Sequence, residues 1–98
     1  MTNQKTKQDK PLFKVGETFT TPAALSKLTE ISVSPCKLVD RHVTGDWKEM
    51  SECDQESNRQ AVIEHLQVFS AYSFDGVKFW VITEGDRSCT TILLPEDY

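Results

Sequence analysis

Apolar and polar positions alternate most clearly in the last third of the chain. Residues 66–74 read LQVFSAYSF, residues 77–83 read VKFWVIT and residues 89–94 read CTTILL, with Asp75-Gly76 and Glu84-Gly85-Asp86-Arg87-Ser88 between them. Apolar, β-branched and aromatic runs bounded by turn residues are strand signals. This stretch therefore predicts a three-stranded antiparallel meander. Asp75-Gly76 suits a type I′ turn, whose two central residues both need positive φ. A two-residue turn there sets Phe74 opposite Val77, Tyr72 opposite Phe79, Ala71 opposite Trp80 and Phe69 opposite Ile82. One face then collects Phe69, Ala71, Trp80 and Ile82, and the other Val68, Tyr72, Phe79 and Val81. Both faces are largely apolar. Helices are expected to cover one, and the N-terminal segment or a partner protein part of the other.

Upstream the period becomes helical. Thr21-Pro22 and Ser34-Pro35 are matched start signals. The hydroxyl caps free N–H groups, and proline at the first helical position gives up an N–H that has no partner anyway. Ala24, Leu25, Leu28 and Ile31 share one face of the first predicted helix. Leu38, Val39 and His42 share a face of the second, with Gly45 as its stop. Ser51 and Asp54 resemble a capping box for a third, which runs to about Glu64 with Ala61 and Val62 inward. Phe13, Val15 and Phe19 suit a short extended segment broken by Gly16. The expected fold is α+β, about three N-terminal helices packed on a three-stranded antiparallel meander. Residues 1–10 are expected to form a disordered polar tail, and residues 11–98 one domain.

Charge narrows the partners. Residues 1–14 sum to +3, Lys5, Lys7, Lys10 and Lys14 against Asp9, which leaves −7 on residues 15–98 for a total of −4. An acidic body does not neutralise phosphates across a broad face, so double-stranded nucleic acid is not the expected ligand. A basic protein, one that itself binds nucleic acid, fits better. No apolar run reaches the ~20 residues that span a bilayer. The polar N-terminus lacks the apolar core of a secretion signal, and the cytoplasm is the expected compartment. Cys36, Cys53 and Cys89 form neither a disulfide framework nor a CxxC pair. They read as reduced, semi-buried side chains, and no metal or cofactor is expected.

Three segments carry a family resemblance: RHVTGDW (41–47), the helix with Asn58 leading into FSAY (69–72), and FWVITEGDRSCTTILLPEDY (79–98). Together they resemble a family of small bacterial proteins found on plasmids and other mobile elements, often labelled "plasmid-related protein" or "type I restriction endonuclease subunit M". The resemblance spans roughly residues 11–98. Gly85 stands where alanine is usual, Lys48 where glycine follows the tryptophan, and His65 where glycine often ends the helix. It implies a mobile-element accessory role rather than a chemistry. A methyltransferase subunit needs a larger domain and a cofactor motif.

Several constellations have both a functional and a structural reading. His42 lies four residues before Asp46, a spacing at which a carboxylate can orient an imidazole as general base. Equally, His42 can serve the helix end while Asp46 binds backbone in the Gly45 turn. Arg87, beside Glu84, Asp86 and Ser88, can hold a phosphate or a partner carboxylate, or be pinned by those acids. Trp47 is either an exposed anchor or a core plug beneath the loop between the second and third helices. Asp46, Glu49, Glu52, Asp54 and Glu56 form the densest acidic run, either a mimic of a phosphate backbone or a solvated helix start. Tyr98 ends the chain as a packing group or as part of a peptide for capture.

Two main function classes follow. One is a non-enzymatic accessory protein acting by protein binding, in its narrower form an acidic inhibitor of a restriction or CRISPR complex. Its binding residues would be Asp46, Trp47, Glu49, Glu52, Glu56, Glu84, Asp86 and Arg87. The other is a small metal-independent RNase of barnase- or RelE-like architecture, using His42, Arg87, Thr90 and Thr91. A homodimer paired through the uncovered sheet face is a third reading.

Overall fold

The computed structural model describes residues 10–98. The expected tail falls outside them except for Lys10. The order of elements is β1 (Glu17–Thr20), α1 (Pro22–Glu30), α2 (Pro35–Val43), α3 (Glu52–Glu64), β2 (Val68–Phe74), β3 (Val77–Thr83), β4 (Cys89–Leu93) and a final 3₁₀ turn (Pro95–Asp97). The fold is α+β.

Each helix starts where its capping residue dictates. Thr21 accepts from the Ala24 N–H, Ser34 from Cys36 and Ser51 from Asp54, and prolines open α1 and α2. Helix α3 ends on His65 in the left-handed conformation, φ 57° and ψ 46°. Asp75 and Gly76 have φ 53° and 76°, and the β2–β3 register follows, Phe74 against Val77 through to Val68 against Thr83.

The sheet has four strands rather than three, in the order β1-β4-β3-β2, with β1 parallel to β4. The extended segment near Phe19 thus becomes an edge strand, pairing Glu17 with Cys89 and Thr20 with Ile92. Gly16 makes this possible. A Cβ there would lie 2.3 Å from the Ser88 carbonyl oxygen, at a φ of 66°.

The helices lie against the face carrying Val68, Tyr72, Phe79, Val81 and Ile92. Ala24, Leu28, Leu38 and Leu94 complete that core, and Trp47, Ala61 and Val68 form a second cluster beside it. Leu25 is not part of the buried stripe; it is 47% exposed, because α1 rests at the sheet margin and buries only Ala24 and Leu28. Cys36 and Cys53, expected to be semi-buried, stand exposed on the first turns of α2 and α3, and only Cys89 is intermediate.

The outer edge of β2 is closed by side chains. Asn58, in α3, donates to the Phe69 carbonyl (2.7 Å) and accepts from its N–H (3.1 Å), as a neighbouring strand would. Glu49 accepts from the Ser73 N–H at 3.2 Å. Such covering keeps an edge from pairing with other chains.

The opposite face of the sheet carries Phe69, Ala71, Trp80, Ile82, Thr91, Leu93 and Phe19 in cross-strand rows. Residues 11–16 do not cover it; they run on the helix side, where the Leu12 N–H donates to the Val43 carbonyl and Phe13 meets His42. Trp80 packs edge-on against Phe69 at 4.9 Å and Tyr98 at 5.7 Å. Phe19 is 51% exposed and Tyr98 81%. The final 3₁₀ turn lies against β3, and Ile82 and Leu93, at 6% and 7% exposed, are buried on this face, while Phe69, Ala71, Trp80 and Thr91 stay partly exposed.

Replacing Asn58 by Ala leaves the Phe69 N–H and C=O without partners, against only a small gain in helix propensity. Asn58→Ala is expected to lower stability by about 2 kcal/mol, read as a fall in the urea midpoint at unchanged slope.

Candidate functional site

The titratable and hydroxyl-bearing candidates gather at one buried locus on the helix side. Position 42 faces inward from α2 together with Leu38, and His42 is fully buried. Ser70, Thr83 and Thr90 come from three adjacent strands, share the core-facing parity, and are all buried. The His42 ring lies 2.6 Å through Nδ1 from Ser70 Oγ, and 2.8 Å through Nε2 from Thr83 Oγ1. Thr83 and Thr90 hydroxyls are 2.6 Å apart, Thr90 donates to the Val15 carbonyl at 2.7 Å, and Trp47 Nε1 donates to Ser70 Oγ at 2.8 Å.

Donor counting gives this relay one direction. Thr90 spends its only hydrogen on Val15, so Thr83 must donate to Thr90. Thr83 then accepts from His42, which places the ring proton on Nε2. Nδ1 is left to accept from Ser70, whose oxygen accepts from Trp47. Every ring nitrogen and hydroxyl has its partner, and His42 is neutral. A second ring proton would face an oxygen already accepting from Trp47 and would strip the Ser70 hydrogen of its acceptor. Burial, aided by the positive charge of Arg87, pushes the His42 pKa down to about 3. Phe13 stands between them, its ring edge-on to His42 at 5.2 Å and 5.4 Å from the Arg87 guanidinium carbon.

Arg87 is turned inward as well, toward carbonyls rather than the acids of its own turn. It donates to the carbonyls of Ala61 (3.0 Å), Leu66 (2.8 Å), Glu84 (3.2 Å) and Gly85 (3.2 Å). Its φ of 62° bends the turn so that the guanidinium reaches the C-terminus of α3, where the last carbonyls and the helix dipole favour a cation. Asp86 instead accepts from the Ser88 N–H, and hydrogen bonding from the Ser88 side chain, then from its backbone, holds the carboxyl below the usual range.

The expected pairing of His42 with Asp46 does not occur. Asp46 accepts from Arg41 Nε at 2.7 Å, and Arg41 also donates to Glu49 at 2.9 Å. Burial alone would raise the Asp46 pKa and lower that of Arg41, but their mutual hydrogen bond and charge outweigh it and hold both ionised. The Arg41 guanidinium lies 4.3 Å over the Tyr72 ring. Tyr72 is buried with its hydroxyl unpartnered, and burial raises its pKa to about 12.

The sequence candidates thus separate. His42, Trp47 and Thr90 belong to the relay, and Trp47 is a core plug, 3% exposed, rather than an exposed anchor. Thr91 lies one residue on and so faces the other side of the sheet from Thr90. Asp46 and Glu49 are occupied by Arg41, and Glu56 pairs with Arg59 at 2.9 Å. Glu52, Asp54, Glu84 and Asp86 remain exposed. His42, Arg87, Thr90 and Thr91 therefore do not converge on an open cleft. Among the described residues, no group of three His, Cys, Asp or Glu side chains is placed to hold a metal ion, and no helix is long and apolar enough to cross a membrane. The residues missed by sequence reasoning are Ser70, Thr83 and Asn58. Their signal was polarity at positions whose parity or helical phase faces the core.

Because His42 binds its proton far more weakly folded than unfolded, its contribution to stability is complete above the unfolded pKa of 6.5 and is lost as pH falls toward 3. The linked loss approaches about 5 kcal/mol at the acid end. Asp46, also depressed, acts in the same direction. His42→Gln should be less stable at neutral pH, and its denaturation midpoint should fall less than that of the parent between pH 6.5 and 3. Comparison of the chain with protein-family models, with curated proteins and with solved structures finds no match to any of them.

Proposed function

We propose that this chain is a non-enzymatic accessory protein that works by binding another protein, and that the partner is basic. The observation that carries the reading is the internal use of its reactive groups. The imidazole of His42, the guanidinium of Arg87 and the hydroxyl of Thr90 all end on partners inside the fold. What the surface offers instead is carboxylate. Glu52 and Asp54 project from the first turn of α3 without a basic neighbour among the described residues, and Glu56 follows one turn later. Asp86 lies by the other end of that helix, about 20 Å away for thirteen residues. A surface of this sign repels nucleic acid and attracts the groove of a protein built to hold it.

The resemblance to mobile-element proteins gives the partner class. An element entering a cell meets restriction and CRISPR complexes, whose channels are lined with lysine and arginine to hold a polyanion. An acidic inhibitor would occupy such a channel.

The test is binding of the purified chain to purified restriction and CRISPR effector complexes over a range of salt concentrations. Binding is expected to weaken steeply as salt rises, and Glu52→Gln with Asp54→Asn to reduce affinity by about tenfold while the helix content stays unchanged. Salt-insensitive binding, or no binding to any such complex, would overturn the basic partner. RNA turnover that disappears in Arg87→Lys would overturn the non-enzymatic reading.

A further inference from the structure

The open face of the sheet has a charge pattern that is complementary to itself. Along β3 the side chains alternate, and the buried Phe79, Val81 and Thr83 face the helices. Lys78, Trp80 and Ile82 therefore point the other way, Ile82 itself only 6% exposed beside its larger neighbours, and Glu84, one residue past the strand, continues their row. Lys78 and Glu84 are exposed, and neither side chain has an ion-pair partner among the described residues. The row reads cation, aromatic, aliphatic, anion. Turned end for end about its midpoint at Val81, it presents anion to cation and aliphatic to aromatic.

We propose that a second copy of this chain closes the open face, packed sheet to sheet about a two-fold axis that lies between the sheets and runs perpendicular to β3 at the level of Val81. In that arrangement Lys78 meets the partner's Glu84 and Trp80 lies over the partner's strand at the level of Ile82, with each contact repeated by symmetry. Packed sheets stand ~10 Å apart, a gap that facing lysine and glutamate side chains bridge together. Phe19 and Tyr98, the most exposed aromatic groups on this side, enter the same interface.

Charge decides the occupant. A uniformly basic partner would meet Lys78 at one end of the platform, and a uniformly acidic one would meet Glu17 and Glu84 at the other. A second copy satisfies Lys78 and Glu84 at once. Four strands at ~4.8 Å spacing and seven residues at ~3.3 Å rise give a footprint of about 400 Å² in projection. Two such faces come to about 800 Å² in projection, the size of a weak, transient encounter. A weak dimer, dissociating at micromolar concentration or above, is the expected form.

The experiment is the mass of the full chain by sedimentation equilibrium from low micromolar to submillimolar concentration. The parent should move from monomer to dimer across that range. Lys78→Glu and Glu84→Lys should each raise the dissociation constant about tenfold or more, and the double exchange K78E/E84K should restore the parent value. Circular dichroism of each variant reports the fold, and Tyr98→Ser, which changes no charge, supplies an independent weakening of the same interface. A chain monomeric at every concentration overturns the proposal and leaves the face to a different protein. So does a dimer indifferent to the single charge reversals, or a double exchange that fails to restore association. Glu52 and Asp54 lie outside the platform, so the dimer and the basic-partner reading are tested by separate variants.

Discussion

The one-way hydrogen-bond relay from Trp47 to Val15 is the constraint on which the rest of the structure depends. It begins at a group that can only donate, the indole N–H, and ends at one that can only accept, a backbone carbonyl. Between these ends every proton has a single place to go. The relay crosses from the loop before α3 through β2, α2, β3 and β4 to the N-terminal segment, joining in one buried line the elements that hydrophobic contact alone would leave free to slide. Buried polar groups that are fully satisfied specify a unique packing, and half-satisfied ones undermine it. His42 is the pivot. Its two nitrogens take opposite roles, a combination no other side chain offers in a planar ring, and burial keeps it in the neutral state that those roles require.

Two further polar devices share this logic. Asn58 supplies the edge of β2 with the donor and acceptor of a missing strand. Arg87 gathers the carbonyls at the end of α3 and in the turn before β4, binding the third helix to the β3–β4 turn. Both are residue types that sequence reasoning associates with recognition of other molecules. Here the recognised molecule is the protein's own backbone, and the functional surface is what these inward-facing groups leave outside: carboxylates around α3 and an aromatic platform on the open sheet face.

The antiparallel register was legible because Asp75-Gly76 admits one tight turn, and a two-residue turn leaves the pairing no freedom. The helix starts were legible because Thr21, Ser34 and Ser51 each precede a segment of helical period. Strand β1 was not. Its four residues, ETFT, are short and mostly polar, and the strand with which it runs parallel lies more than seventy residues away. No local pattern encodes such a pairing. The destination of Arg87 was hidden for a related reason: its acidic sequence neighbours offered a simpler partner than distant carbonyls. The relay was half visible. Once the register is set, Ser70 and Thr83 fall on the same parity as Val68, Tyr72, Phe79 and Val81, and a row of hydroxyls on a greasy face calls for a buried polar partner. Helical phase makes His42 that partner.

The parallel strand also orders the events of folding. The β2–β3 hairpin closes over two residues and the next turn over five, so both form from contacts near in sequence. The link between Val15 and Thr90 must close a loop of 75 residues. Loop-closure entropy makes so distant a contact slow to form and leaves it without reward until the hairpins exist. The meander is therefore the natural nucleus, and the first strand arrives last. Until it does, the edge of β4 is bare and the hydroxyl of Thr90 has no carbonyl to satisfy it. In that interval the chain is most exposed to pairing with the wrong neighbour.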